Sequence, residues 1–121
     1  MTPTDGVASD CIFCKIATKE VPAAIVHASD RVVAFRDTNP KAPMHILLIS
    51  REHVSSIADV TDAHAGMLAE LFASAHHLAK AEGVDHSGWR LVTNVGPDAG
   101  QSVHHLHFHL LGGRAMAWPP G

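Results

Sequence analysis

Apolar positions recur along this chain with two periods, and the change from one to the other locates the elements. Residues 24–27 and 31–36 read as two short strands joined by a Ser29-Asp30 turn. Asp37-Thr38-Asn39-Pro40-Lys41-Ala42-Pro43 reads as a loop punctuated by two prolines. Residues 45–50, with Ile46, Leu47, Leu48 and Ile49 in succession, read as a central strand. The period then becomes helical. From a cap at Asp59 or Thr61 to Glu82, the residues Leu68, Leu71, Phe72, Ala75, Leu78 and Ala79 form one stripe at three- and four-residue spacing, and Gly83 suits its end. Residues 89–95 form another strand, Gly96-Pro97-Asp98-Ala99-Gly100 a turn, and the segment from His105 a last strand. Residues 11–17 suit one or two helical turns. The order predicts an α+β fold, largely antiparallel, rather than alternating βαβ units.

The last strand carries His105-Leu106-His107-Phe108-His109. On a strand alternate side chains share a face, so the three imidazoles would line one side while Leu106, Phe108 and Leu110 enter the core. Ionisable rings in that pattern suit a site for an anion, a metal or nucleophilic chemistry. Neighbours at i and i+2 sit about 6.5 Å apart, and the outer pair about 13 Å. A tetrahedral metal holds its ligands near 2 Å, so one straight strand cannot bring all three to one ion. The three must divide their duties. Gly100-Gln101-Ser102 leads into them. Small residues with exposed N–H groups suit a phosphate and Ser102 adds a hydroxyl, although an ordinary hairpin turn looks the same in isolation.

Composition bounds these readings. The chain has 121 residues, 46% hydrophobic and 17% charged, which suits one compact domain over residues 11–121 after a loose tail over residues 1–10. A core of that size is modest, and a dimer interface would add to it. A net charge of −3 argues against a general nucleic-acid or anionic-membrane surface, so any phosphate binding is local. No run of 18 apolar residues exists to span a membrane, and the first ten residues lack a signal-peptide pattern. A cytoplasmic protein is expected. Cys11 and Cys14 form a C-x2-C pair. A redox pair would need a βαβ setting, a disulfide does not suit the cytoplasm, and a zinc site needs two more ligands.

The run from Gln101 to Leu111 resembles the histidine-triad signature, His-φ-His-φ-His-φ-φ. Further segments fit the same family: Cys11-Ile12-Phe13-Cys14-Lys15-Ile16, Ala34-Phe35-Arg36-Asp37, Pro40-Lys41-Ala42-Pro43-Met44-His45, Arg51-Glu52-His53-Val54 and Asn94-Val95-Gly96. The ending Trp118-Pro119-Pro120-Gly121 looks like the Hint branch of that family, the purine-nucleotide-binding phosphoramidases. The resemblance runs from about Cys11 to Gly121. It implies a HIT-like sheet of about five antiparallel strands with one long and one short helix, two such sheets being joined across a homodimer.

It also implies roles. His107 would attack the α-phosphorus of a purine nucleoside phosphoramidate and form a nucleotidyl-histidine, which water then hydrolyses. His109 and Asn94 match phosphate contacts, Ser102 a hydroxyl at the phosphate and leaving group, and His45 a supporting histidine. Gln101 falls among the substrate-binding positions. Asp37 matches a carboxylate that accepts from the ribose hydroxyls. Phe13, Ile16, Val21, Phe35 and Thr38 match the purine pocket, Thr38 standing where the family more often has an apolar residue. Trp118 would reach the partner's site. Cys11, Cys14, His53 and His105 match a structural zinc site, leaving His107 and His109 for phosphate and the chemistry free of any required metal. The same triad would serve a dinucleoside polyphosphate or adenylylated intermediate, or a nucleotide-binding regulatory module. His104 stands where the family often has an aromatic, which implies a core-facing or interface position. His27, His64, His76, His77 and His86 read as surface residues.

Overall fold

Strand alternation in the middle of the sheet explains the architecture. The structure, a computed structural model, describes residues 10–121; the tail expected over residues 1–10 lies outside them apart from Asp10. The elements are α1 (Ile12–Ala17), β1 (Ile25–Ala28), β2 (Val32–Arg36), β3 (Met44–Ser50), α2 (Ala65–Ala81), β4 (Trp89–Val92) and β5 (His107–Gly112). The five strands form one antiparallel sheet in the order β1-β2-β3-β5-β4. The expected α+β arrangement is present.

β3 lies at the centre with all of its residues buried. Ile46 and Leu48 face α2, together with Val32, Ala34, Phe108, Leu110 and the helix residues Met67, Leu71, Ala75 and Leu78. Leu47 and Ile49 face the other way, with Val33, Phe35 and the α1 residues Phe13 and Ile16. Both faces are covered, so an antiparallel strand reads as a continuous apolar run instead of an alternating one. Leu48 and Leu71 are fully enclosed, and truncating either to Ala costs about 2–5 kcal/mol.

Several boundaries differ from the sequence pattern. The long helix starts at Ala65, later than Asp59 or Thr61, because two 3₁₀ turns, Ile57–Asp59 and Asp62–His64, precede it. Thr61 caps the second: its hydroxyl accepts from the Ala63 N–H, and the Thr61 N–H donates to His64 Nδ1 at 2.9 Å. On α2, Phe72 is 49% exposed and meets only the edge of the core at Phe108, while Met67 takes a buried place. β4 ends at Val92 instead of 95. Beyond it the Thr93 hydroxyl donates to the His107 carbonyl at 2.7 Å, where a strand ladder would use a backbone N–H.

The triad segment differs most. β5 begins at His107, so His105 is outside the strand, and His104 is exposed rather than core-facing. Alternation governs only the extended part of the segment, where Phe108 and Leu110 enter the core as expected; Leu106 is also buried there. Among the remaining histidines, His76, His77 and His86 are exposed, whereas His27 is half-buried on Ser74 Oγ (3.1 Å) and His64 on Glu52 Oε2 (3.0 Å). Among the described residues no helix is long and apolar enough to cross a membrane.

Candidate active site and metal centre

The register of β5 sets the site. His107 lies opposite Ile49, and His109 opposite Leu47 and Val92, on the sheet face away from α2. The His107 ring is buried, and its Nδ1 is 2.7 Å from the His105 carbonyl. A carbonyl only accepts, so Nδ1 carries a hydrogen, and in the neutral ring Nε2 keeps the lone pair. Phe13 holds the ring edge-on at 5.1 Å.

The neighbouring histidines are fixed by the same logic. The Lys41 backbone N–H donates to His45 Nδ1 at 2.9 Å. A backbone N–H only donates, so the His45 hydrogen sits on Nε2. That nitrogen is 2.9 Å from His109 Nδ1 and 3.4 Å from Asp37 Oδ2. It donates to His109, whose own hydrogen must then sit on Nε2. Burial, helped by the nearby His107 and His45, pushes His109 down to about 4 against the pull of Asp37. Burial also lowers His45, again against Asp37. The relay is therefore neutral at pH 7. Its His109 N–H lies beside the His107 ring, whose Nδ1 hydrogen is held by the His105 carbonyl, with ring centroids 5.2 Å apart. A nucleophile next to a hydrogen-bond donor suits attack on phosphorus with stabilisation of the charge that develops on its oxygens.

Two cavities meet at Asp37. One, of 460 Å³, is apolar and lined by Phe13, Ile16, Val21, Phe35, Leu47 and Thr38. The other, of 660 Å³, is lined by His45, Asn94 and His109, with Arg90, Arg114 and the tail residues Ala117, Pro119 and Pro120. One Asp37 oxygen accepts from the Asn39 N–H at 2.8 Å, which fixes the carboxylate between the two.

On the other side of His107, the N-cap Cys11 and Cys14 of α1 converge with His53 and His105. His105 Nδ1 lies 3.3 Å from Cys11 Sγ, 3.5 Å from Cys14 Sγ and 3.2 Å from His53 Nδ1, and His53 Nδ1 lies 3.5 Å from Cys14 Sγ. Tetrahedral bonds of about 2.0–2.3 Å place ligands roughly 3.3–3.8 Å apart, so the set fits one zinc ion. The outer shell fits as well. His105 Nε2 donates to the Ser50 carbonyl at 2.7 Å, which leaves Nδ1 as the ligand atom. Four protein ligands close the shell, so the site is of the structural kind.

The HIT domain model matches residues 18–116. The chain belongs to the HIT family. It is 46% identical to a 14 kDa zinc-binding protein of Brassica juncea, over 93% of this chain and 100% of that one. It is 45% identical to an adenylylsulfatase of Arabidopsis thaliana, over 99% of this chain and 80% of the relative. Its fold superposes on a HIT family hydrolase from Legionella pneumophila with a TM-score of 0.91 and 49% identity, over 93% of this chain and 100% of that one.

Within this HIT domain the structure brings together most of the residues singled out from the sequence. His45, Asp37, Asn94 and His109 border one cavity, and Phe13, Ile16, Val21, Phe35 and Thr38 border the other. Cys11, Cys14, His53 and His105 form one cluster. Ser102 is exposed and has no hydrogen-bond partner among the described residues. The Gln101 amide is occupied by Gly96, Ser55 and Val103, and it braces a turn that needs the left-handed backbone of Gly96 and Gly100. Trp118 is not brought to the site of its own chain and is 81% exposed. Ser50, which holds His105, Thr93, which holds the His107 carbonyl, and the Lys41 backbone, which holds His45, were not singled out from the sequence. Ser50 carried a usable signal, a polar residue ending an otherwise apolar central strand.

Proposed function

We propose that this protein hydrolyses purine nucleoside phosphoramidates, cleaving the bond between the α-phosphorus and an amine. The observation that carries this reading is the bare Nε2 of His107, fixed by the bond from Nδ1 to the His105 carbonyl and set beside the neutral donor His109. The base enters the apolar cavity, Asp37 accepts from the ribose hydroxyls, and Asn94, Ser102 and His109 hold the phosphate. His107 Nε2 then attacks phosphorus, the phosphorus–nitrogen bond breaks, and the leaving amine takes up a proton from solvent. Water cleaves the nucleotidyl-histidine and releases the nucleoside monophosphate. Splitting the displacement in two gives ping-pong kinetics.

A second reading has its own support, the Arabidopsis relative named for adenylyl sulfate. There the same nucleophile would displace sulfate. Dinucleoside polyphosphates form a third leaving-group class for the same triad, and a nucleotide-binding regulatory module would keep the site with incidental turnover. The chain acts as a homodimer in this proposal. Among the described residues the outer edge of β4 is unpaired, and the exposed Trp89 and Val95 give it an apolar surface. Trp118 would cross to the partner's site. A reducing, cytoplasmic setting suits the thiolate ligands.

The test follows AMP release from adenosine phosphoramidate, an AMP–lysine conjugate and adenylyl sulfate, with His107→Ala alongside. Release from a phosphoramidate by the wild type alone is expected. Release by both proteins at similar rates would refute the nucleophile, and turnover of adenylyl sulfate alone would transfer the assignment to the second reading.

A further inference from the structure

The metal ligands and the nucleotide site share parts. His105 offers Nδ1 to the cysteines, and its carbonyl, two residues from the nucleophile, accepts from His107 Nδ1 at 2.7 Å. Leu106, between the two histidines, donates its N–H to the Val54 carbonyl, and Val54 follows the ligand His53. Ser55, the next residue, accepts from the Gln101 amide that braces the turn before Ser102. On the other side, Cys14 sits between Phe13 and Ile16 on α1. Phe13 touches the rings of His105, His107 and Phe35, and with Ile16 it walls the apolar cavity.

α1 spans only Ile12–Ala17, too short to hold its place by helix stability alone. Tying Cys11 and Cys14 to His53 and His105 closes a chain link of more than ninety residues between the cavity wall and the catalytic segment. We infer that Cys14, His53 and His105 are positioning residues for the proposed reaction: bound to one zinc ion, they hold the His107 tautomer and the Phe13–Ile16 wall together, so that metal and purine nucleotide bind cooperatively. This rests on the nucleotide reading of the site and adds to it a role for the metal centre beyond stability.

Linkage makes the inference testable from both sides, because each ligand must change the other's affinity by the same factor. AMP is titrated into zinc-loaded and zinc-stripped protein by calorimetry, and zinc affinity is measured by chelator competition with and without AMP. The expected result is AMP affinity at least tenfold weaker without zinc, and zinc affinity tightened by a matching factor with AMP. In parallel, saturating AMP is added to cobalt-loaded protein. A shift of the visible d–d bands is expected, since Phe13 and His105 bridge the two sites; a metal that only staples the fold leaves the bands fixed. Equal AMP affinity in folded stripped protein, or fixed bands, overturns the inference. Should stripping unfold the chain, the bands of the loaded protein decide alone. Failure of the loaded protein to bind AMP would instead refute the nucleotide reading, and the inference with it.

Discussion

Among the described residues, two groups of side chains bring three or more ligand-type atoms within 4.8 Å of one another: Cys11, Cys14, His53 and His105 on one side of His107, and Asp37, His45 and His109 on the other. Only the first is arranged for a metal. His105 gives its Nε2 hydrogen to the Ser50 carbonyl, so Nδ1 faces the thiols with a lone pair. His45 takes the Lys41 N–H on Nδ1, so its Nε2 carries a hydrogen toward His109. A metal on that Nε2 would force a hydrogen onto Nδ1, against the Lys41 N–H, and leave two donors facing each other. Backbone groups, which cannot change role, thus decide which histidine nitrogen can face a metal and which carries a hydrogen. Residue type and proximity alone do not separate the two clusters.

Substitutions in and between the two clusters separate their roles. The largest effect is expected at the residue between the clusters. His107→Ala lowers turnover by at least about 10³-fold while AMP binding persists, as measured by single-turnover kinetics and calorimetry. Loss of binding in step with turnover would make His107 a binding residue only. Next comes the phosphate-side relay. His45→Ala frees the His109 ring and lowers kcat by about 10–100-fold, the usual cost of removing an orienting partner, with zinc content unchanged. A fall in zinc content would mean the clusters are not separate.

On the metal side, Cys11→Ser removes the zinc complement measured by atomic absorption and lowers the thermal midpoint, and it reduces kcat less than His107→Ala does. Full zinc in that variant would contradict the ligand set. The smallest effect is on pH dependence. His109 is held at about 4, below its ordinary 6.5, mainly by burial. The unfolded chain therefore takes up this proton first. Stability is intact above about pH 6.5 and falls as pH drops from 6.5 toward 4. The urea midpoint at pH 5 should lie below that at pH 7, by less in His109→Gln; a midpoint that rises on acidification would contradict a neutral relay.

The sequence carried the sheet, the long helix and the residue types of both clusters, for physical reasons that also explain the errors. Period and turn chemistry located β2, β3 and α2 because burial enforces them. The 3₁₀ turns before Ala65 escaped because a cap such as Thr61 serves a short turn as well as a long helix, and Asp59 lies inside the first turn, which Ser56 caps. Phe72 escaped because a stripe defines a face and not which edge of it is covered. His105 left the strand because the cysteines and the Ser50 carbonyl hold it from both ends, a tertiary cause with no local signature. The separation of His105 from His109 into different clusters was legible from strand spacing. Its mechanism was not, since the Lys41 N–H and the His105 and Ser50 carbonyls exist at every residue and acquire a role only through the fold.

The most direct test reads the tautomers themselves. A long-range ¹H–¹⁵N spectrum of the zinc-loaded protein at pH 7 reports which ring nitrogen of each histidine carries hydrogen. Nδ1–H is expected for His107, Nε2–H for His45 and His109, and Nε2–H with a metal-shifted Nδ1 for His105. An Nε2–H on His107, or a metal-shifted nitrogen on His45 or His109, would contradict this assignment.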